Sequence, residues 1–445
     1  MIIIIVNDTI VSMDQEIVRL HKLNITGYHK ILLFFGEHTC KAMAGIATSI
    51  LIINHISPND YGVITMSLTI IGVLTAVTAL GLDGILLKEF ILKFNVMDLR
   101  SSIALRLITS MIVTVVIGII TLVTNNLIAL LVLAMSLTLF FESFNATKEY
   151  HFSQQNYGRI VSASVVASFV QLSGTYVICN SSAAYYYFLV PFMLARVTRI
   201  IIQSYSVSNL IFINVRQYSL DIQLGKAGIP LLISTLAGLI YAAQDQWMIS
   251  MFMDFTNVGI YAAATKIILF VLVIPTIITN LLYEKIIKQR SYDDYEQFIK
   301  MLYTLIFYLA LTSVIVTYIV SYFLINYIYP PAYTSGIDVL NIYASILIFA
   351  FFQSLNNKIL ILQNMQSLIM ARTLTALLLN AILNFWLIQS VGLVGAALAT
   401  VASELFITLS YGFHKKTRNI FWYQVTAINP QNLTQLIHQN WQKND

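Results

Sequence analysis

Eight charged side chains lie inside stretches of this chain that are otherwise apolar: Lys41, Arg106, Arg196 and Lys266 on the basic side, Glu37, Glu142, Asp245 and Glu404 on the acidic side. A charge in an apolar medium is costly unless it is paired or hydrated, so such residues face one another or a water-filled cavity. The chemistry the cations offer is capture of an anionic group, with lysine as a point charge and arginine as a two-pronged donor. Lys41 follows Glu37 by four residues, so the two can satisfy each other on one helix face. Arg106 and Glu142 fall near the ends of neighbouring segments and can pair or reach back to the interface. Arg196 is deeper and has no obvious local acid. Asp245 precedes a turn near Phe255 and Lys266 follows it, which puts both about 15 Å below the same helix ends. The expectation is a midplane pair, either lining a cavity or bracing two helices. Arg196, Lys266, Asp245, Lys41 and Arg106 are thus the candidate transport residues. No metal box, phosphate-cradling loop or nucleophile triad accompanies them, so no cofactor, metal or catalysis is expected and energy must come from gradients or from consumption of a product.

Membrane helices must position these charges, because 58% of the 445 residues are hydrophobic and only 10% are charged. A bilayer core needs about 20 apolar residues per helix. Reading apolar runs against polar breaks predicts twelve, at 31–53, 62–82, 103–124, 127–147, 160–179, 185–206, 227–252, 258–282, 302–325, 339–361, 370–388 and 393–413. The loops after the odd-numbered helices, including 54–61, 180–184, 254–257, 326–338 and 389–392, hold no Lys or Arg. The opposite loops hold Lys285, Lys288, Arg290, Lys300, Lys415, Lys416 and Arg418, which places both termini in the cytoplasm. The net charge of +5 therefore reports membrane orientation, not nucleic-acid binding. Cys40 and Cys179 lack metal-like spacing and read as packing residues. Tyr185, Tyr186, Tyr187, Tyr327, Tyr329 and Tyr333 lie at outer helix ends, as an aromatic belt would.

The chain divides into a cytoplasmic extension (1–30), a first six-helix bundle (31–208), a cytoplasmic linker (209–226), a second six-helix bundle (227–413) and a cytoplasmic tail (414–445). The start has no basic region ahead of its short apolar stretch and is not a secretory signal, and Met1 and Met13 both fit as initiators. Two echoes support the division. The segment NDYGVI at 59–64 resembles TNVGIY at 256–261, and Gln155-Asn156 answers Gln363-Asn364, at offsets of 197 and 208 residues. Six helices per half give repeats of parallel topology.

The stretch NFWLIQSVGLVGAALATVASELF, 384–406, pinches at 389–392 and then presents Gly395, Ala399 and Ser403 at four-residue spacing. Such a stripe lets helix backbones approach closely. The whole string also resembles a segment that recurs in the Wzx-type O-antigen and capsule repeat-unit flippases of the multidrug/oligosaccharidyl-lipid/polysaccharide exporter superfamily, departing at Gln389 and Val391. ISPNDYGVITMSLTIIGVLTAVTALGLDGILLKE from Ile56, AAQDQWMIS from Ala242 and NVGIYAAATKI from Asn257 resemble the same family in the same order. The resemblance implies an all-α membrane protein with two six-helix bundles around a central cavity. It further implies movement of an oligosaccharide on an undecaprenyl diphosphate carrier across a bacterial inner membrane, with membrane lipids and other polysaccharide-assembly proteins as partners. A cationic cavity would suit the diphosphate. Two alternatives stay open: a small-molecule or multidrug antiporter of the same superfamily, and an O-antigen polymerase or ligase. The latter needs outward catalytic residues on a long outer loop, and the longest here, 326–338, contains no Arg or His.

Overall fold

A computed structural model describes residues 36–37, 39–211, 221–289 and 295–432; they are nearly all helical, with no strand among them. A short apolar helix, α1 (Thr39–Ile53), occupies the later part of the first expected span. Eleven further helical stretches are long and apolar enough to cross a bilayer, and each overlies one of the other expected spans. The first group comprises α2 (Pro58–Ala79), α3 (Leu82–Lys93), α4 (Val96–Thr124), α5 (Leu127–Glu142), α6 (Ala146–Ser153), α7 (Tyr157–Cys179), α8 (Leu189–Tyr205) and a single turn, α9 (Ser208–Ile211). The second comprises α10 (Ile222–Phe252), α11 (Phe255–Val271), α12 (Val273–Gln289), α13 (Tyr295–Phe323), α14 (Gly336–Tyr343), α15 (Ile346–Leu362), α16 (Gln366–Val391), α17 (Leu393–Leu409) and α18 (Arg418–Thr426). Residues 1–35, 38, 212–220 within the expected linker, 290–294 and 433–445 lie outside the described residues, so the N-terminal extension, Arg290 and the end of the tail do too.

Helix ends follow local chemistry. Ser57 accepts from the Asp60 amide and Pro58 fills the first turn of α2, where its missing N–H costs nothing. Asn95, Asn126 and Asp221 cap α4, α5 and α10 in the same way. In lipid the outer face needs no polar cover: Met111, Ile112, Val115, Ile119 and Leu122 of α4 are all exposed.

The two groups meet along α2, which packs on both α10 and α11. A methyl group added at Gly62 would lie 1.9 Å from the Phe255 carbonyl oxygen, and one at Gly259 1.9 Å from that of Pro58. Only glycine allows this crossing, and the two glycines are the matching positions of the first sequence echo. The corner between α2 and α3 makes a second crossing with α10: a methyl at Gly81 would lie 2.4 Å from the Gly228 oxygen, and one at Gly228 2.1 Å from that of Leu80.

The break in 384–406 is narrower than expected. α16 runs to Val391 and Gly392 alone, with φ of 66°, turns the chain into α17. Gly395, Ala399 and Ser403 are buried where α17 packs on α16, which makes them a packing stripe. The aromatic belt is corrected in part. Tyr186, Tyr187 and Tyr327 are exposed, but Tyr329 and Tyr333 are buried, because Tyr333 packs edge-on against both Tyr61 and Tyr329. Cys40 and Cys179 are free thiols, both partly buried.

Candidate functional site

Between the two glycine crossings lies a cavity of about 420 Å³, walled by α2, α3, α4, α5 and α10. Its polar lining is Thr75, Thr78, Asp83, Arg106, Glu142, Asn145 and Thr235. The ion pairs here differ from the sequence expectation. Arg106, 1% exposed, donates from Nη2 to Asp83 Oδ1 at 2.7 Å. Glu142 Oε1 accepts from Arg199 Nη2 at 2.5 Å. Arg106 and Glu142 thus line one cavity without pairing, since each meets a better-placed partner: Asp83 in the first turn of α3 reaches Arg106, and Arg199 projects from α8. Asp83 and Arg199 are not among the residues nominated from sequence; Asp83 lies one residue past the expected span 62–82.

Two pairs cancel four charges, and Arg196 and the buried Glu149 lie near them outside either pair. Arg196 donates from Nη1 to Thr75 Oγ1 at 3.2 Å, a neutral partner that itself lines the cavity, and has no acidic partner among the described residues. Arg106 Nε and Arg199 Nε, both buried, have no acceptor either. Guanidinium groups with unused donors beside a cavity can bind an anion without first breaking a protein ion pair.

Lys41 is spoken for. Its Nζ lies 2.5 Å from Glu37 Oε1, which also accepts from Ser164 Oγ of α7 at 3.1 Å. The expected i,i+4 pair is formed, and through Glu37 it ties the segment at the start of α1 to α7.

The Asp245–Lys266 pair is not formed. Asp245, fully enclosed, receives Tyr261 Oη at 2.6 Å and Thr400 Oγ1 at 2.8 Å on Oδ2, and Asn384 Nδ2 at 2.7 Å on Oδ1. Asn380 joins this shell, bonded to Asn384 and Thr400 and in contact with Gln244. The expectation placed the two residues by depth along two consecutive helices and took no account of rotation about the helix axis. Tyr261 is the α11 residue that faces Asp245, and Lys266 lies five residues on, about 140° further round the helix. Lys266 is half-buried and makes no hydrogen bond or ion pair among the described residues. This shell of hydroxyl and amide donors ties α10, α11, α16 and α17 together at one point. The sequence signal for it was Asn380 and Asn384, two amides one turn apart inside an apolar span.

Comparison with known proteins bears on this geometry. A family model described as polysaccharide biosynthesis protein matches residues 55–334. No curated protein sequence matches the chain. Among solved structures, the lipid II flippase MurJ in an inward closed conformation superposes with a TM-score of 0.66 at 14% identity, covering 89% of this chain and 91% of that one. An inward-facing multidrug resistance MATE family transporter of the MOP superfamily gives 0.62 at 13% identity, covering 87% and 94%. A MOP superfamily transporter from Pyrococcus furiosus Vc1 gives 0.58 at 11% identity, covering 89% and 95%. At such identities the likeness establishes a shared fold.

Proposed function

Because the chain belongs to the polysaccharide biosynthesis protein family and is a multi-pass membrane protein with the fold of MOP superfamily transporters, we propose that it is a flippase for lipid-linked oligosaccharide. The substrate is a repeat unit on an undecaprenyl diphosphate carrier, moved across the bacterial cytoplasmic membrane for O-antigen or capsule synthesis. The observation that carries this reading is the cluster of guanidinium groups beside the seam cavity: Arg196 hydrogen-bonds to the neutral Thr75, and neighbouring Arg106 and Arg199 keep unused donors. Such a site favours a diphosphate over the cationic and neutral drugs that a multidrug antiporter would carry. Lys266 offers a further uncompensated charge on α11.

Transport proceeds by alternating access, with the halves 31–208 and 227–413 hinging about the α2 seam and both termini cytoplasmic. The Gly62–Gly259 crossing supports closure of one end and the Gly81–Gly228 crossing closure of the other. Both are backbone-on-backbone contacts that bury no ion pair, so parting them exposes no unpaired charge. The family and the structural relatives are transporters and biosynthesis proteins, which supports a non-enzymatic role.

Deletion and complementation in a bacterium that displays surface polysaccharide tests the reading. Loss should leave single lipid-linked repeat units on the cytoplasmic face while surface polymer disappears. Normal polymer with altered drug sensitivity would favour the antiporter, the second reading that the MATE-like fold supports.

A further inference from the structure

A second cavity, of about 210 Å³, lies wholly within the second group of helices, between α10, α15, α16 and α17. Tyr241, Gln353, Asn357, Arg372, Glu404 and Tyr411 line it. Arg372 is 8% exposed; its guanidinium sits 3.6 Å over the Tyr411 ring, with Nε donating to Ser410 Oγ and Nη2 to Thr417 Oγ1, both at 3.3 Å. Its Nη1 has no acceptor. Glu404 is 5% exposed; its Oε1 accepts from Tyr241 Oη at 2.5 Å, and its Oε2 has no donor. A buried cation and a buried anion thus line one cavity, each with an unused atom, and they do not pair with each other among the described residues. Gln353 and Asn357, one turn apart on α15, also make no hydrogen bond among the described residues.

The signs decide what fits. Arg372 and Glu404 cancel, so a phosphate drawn to the guanidinium is repelled by the carboxylate, and an ammonium meets the reverse conflict. A hydroxyl group accepts from one and donates to the other. Several hydroxyls on a compact ring could meet Nη1, Oε2 and both amides together. The volume equals that of about seven waters, the scale of one sugar residue and not of a chain. Tyr241 adds an aromatic wall, apolar on its face, that suits the C–H side of a sugar ring. We propose that this cavity is a recognition subsite for one neutral pyranose residue. Resting on the flippase reading, it would select among glycans while the seam cavity holds the diphosphate.

The test uses the purified full chain in detergent, with free neutral hexoses and N-acetylhexosamines as probes and saturation-transfer NMR as the readout. At least one pyranose should give a signal that competes with no inorganic diphosphate and falls tenfold or more in Glu404→Gln and Arg372→Gln. Arg196→Ala should keep it. Asn357→Leu, which breaks no hydrogen bond among the described residues and replaces a polar amide of the lining by an apolar group of the same shape, should abolish the signal and covers the case in which a charge variant fails to fold. Absence of any pyranose signal, or signals that persist in Asn357→Leu, would overturn the subsite, as would displacement by diphosphate. The deletion phenotype is read separately: polymer loss on deletion with no pyranose binding sinks the subsite alone, whereas normal polymer on deletion sinks the flippase.

Discussion

The hydrogen-bonded shell around Asp245 predicts a pattern of pairwise energies that the expected ion pair with Lys266 cannot produce. Asp245→Asn converts one acceptor oxygen into a donor, so at least one of Tyr261, Asn384 and Thr400 is left facing a donor in a fully enclosed site. An unsatisfied buried group of that kind costs about 1–3 kcal/mol. Tyr261→Phe removes a hydroxyl that donates to the same carboxylate at 2.6 Å. Because both substitutions break one bond, the double variant should lose less than the sum, with a coupling of about 1–3 kcal/mol. Lys266→Met shares no contact with Asp245, so its coupling to Asp245→Asn should lie within about 0.5 kcal/mol of zero. Reversible unfolding in mixed micelles, followed by tryptophan fluorescence, measures the three single and two double variants. A coupling above about 1 kcal/mol to Lys266, with none to Tyr261, would refute the shell and restore the ion pair.

Further outcomes follow from the same geometry. Arg196→Ala should cut glycolipid flipping in proteoliposomes at unchanged protein yield, Arg196→Lys should restore part of it, and Arg196→Glu with full activity would remove the anion-attracting role. Lys266→Met should leave unfolding within about 0.5 kcal/mol of wild type, since it breaks no contact, yet lower flipping; unchanged transport would assign the lysine no part in it. Gly259→Val puts side-chain atoms into the Pro58 carbonyl, so it should pry α2 from α11. A cysteine placed at Thr65, with Cys40 and Cys179 replaced by serine, should then react several-fold faster with an impermeant maleimide. Equal rates would show that this crossing closes nothing.

Helix positions were legible in the sequence because the bilayer imposes a length and the loops carry the charge asymmetry. Contacts within one helix were legible too: Glu37 and Lys41 meet as their spacing requires, and Gly395, Ala399 and Ser403 pack as their size requires. Which partner each charge takes was decided by tertiary structure. In water a helix announces its inner face by its apolar stripe, but in lipid both faces are apolar, so rotation about the axis leaves little trace in the sequence. Asp245 and Lys266 were placed at equal depth and ended about 140° apart by way of Tyr261. Arg106 went to Asp83 and Glu142 to Arg199, because the corner between α2 and α3 and the approach of α8 brought those side chains nearer. The meeting of Arg372 with Glu404 across one cavity likewise depends on how α16 and α17 turn toward α10 and α15. Their distance in sequence, and the uniform greasiness around both, concealed it.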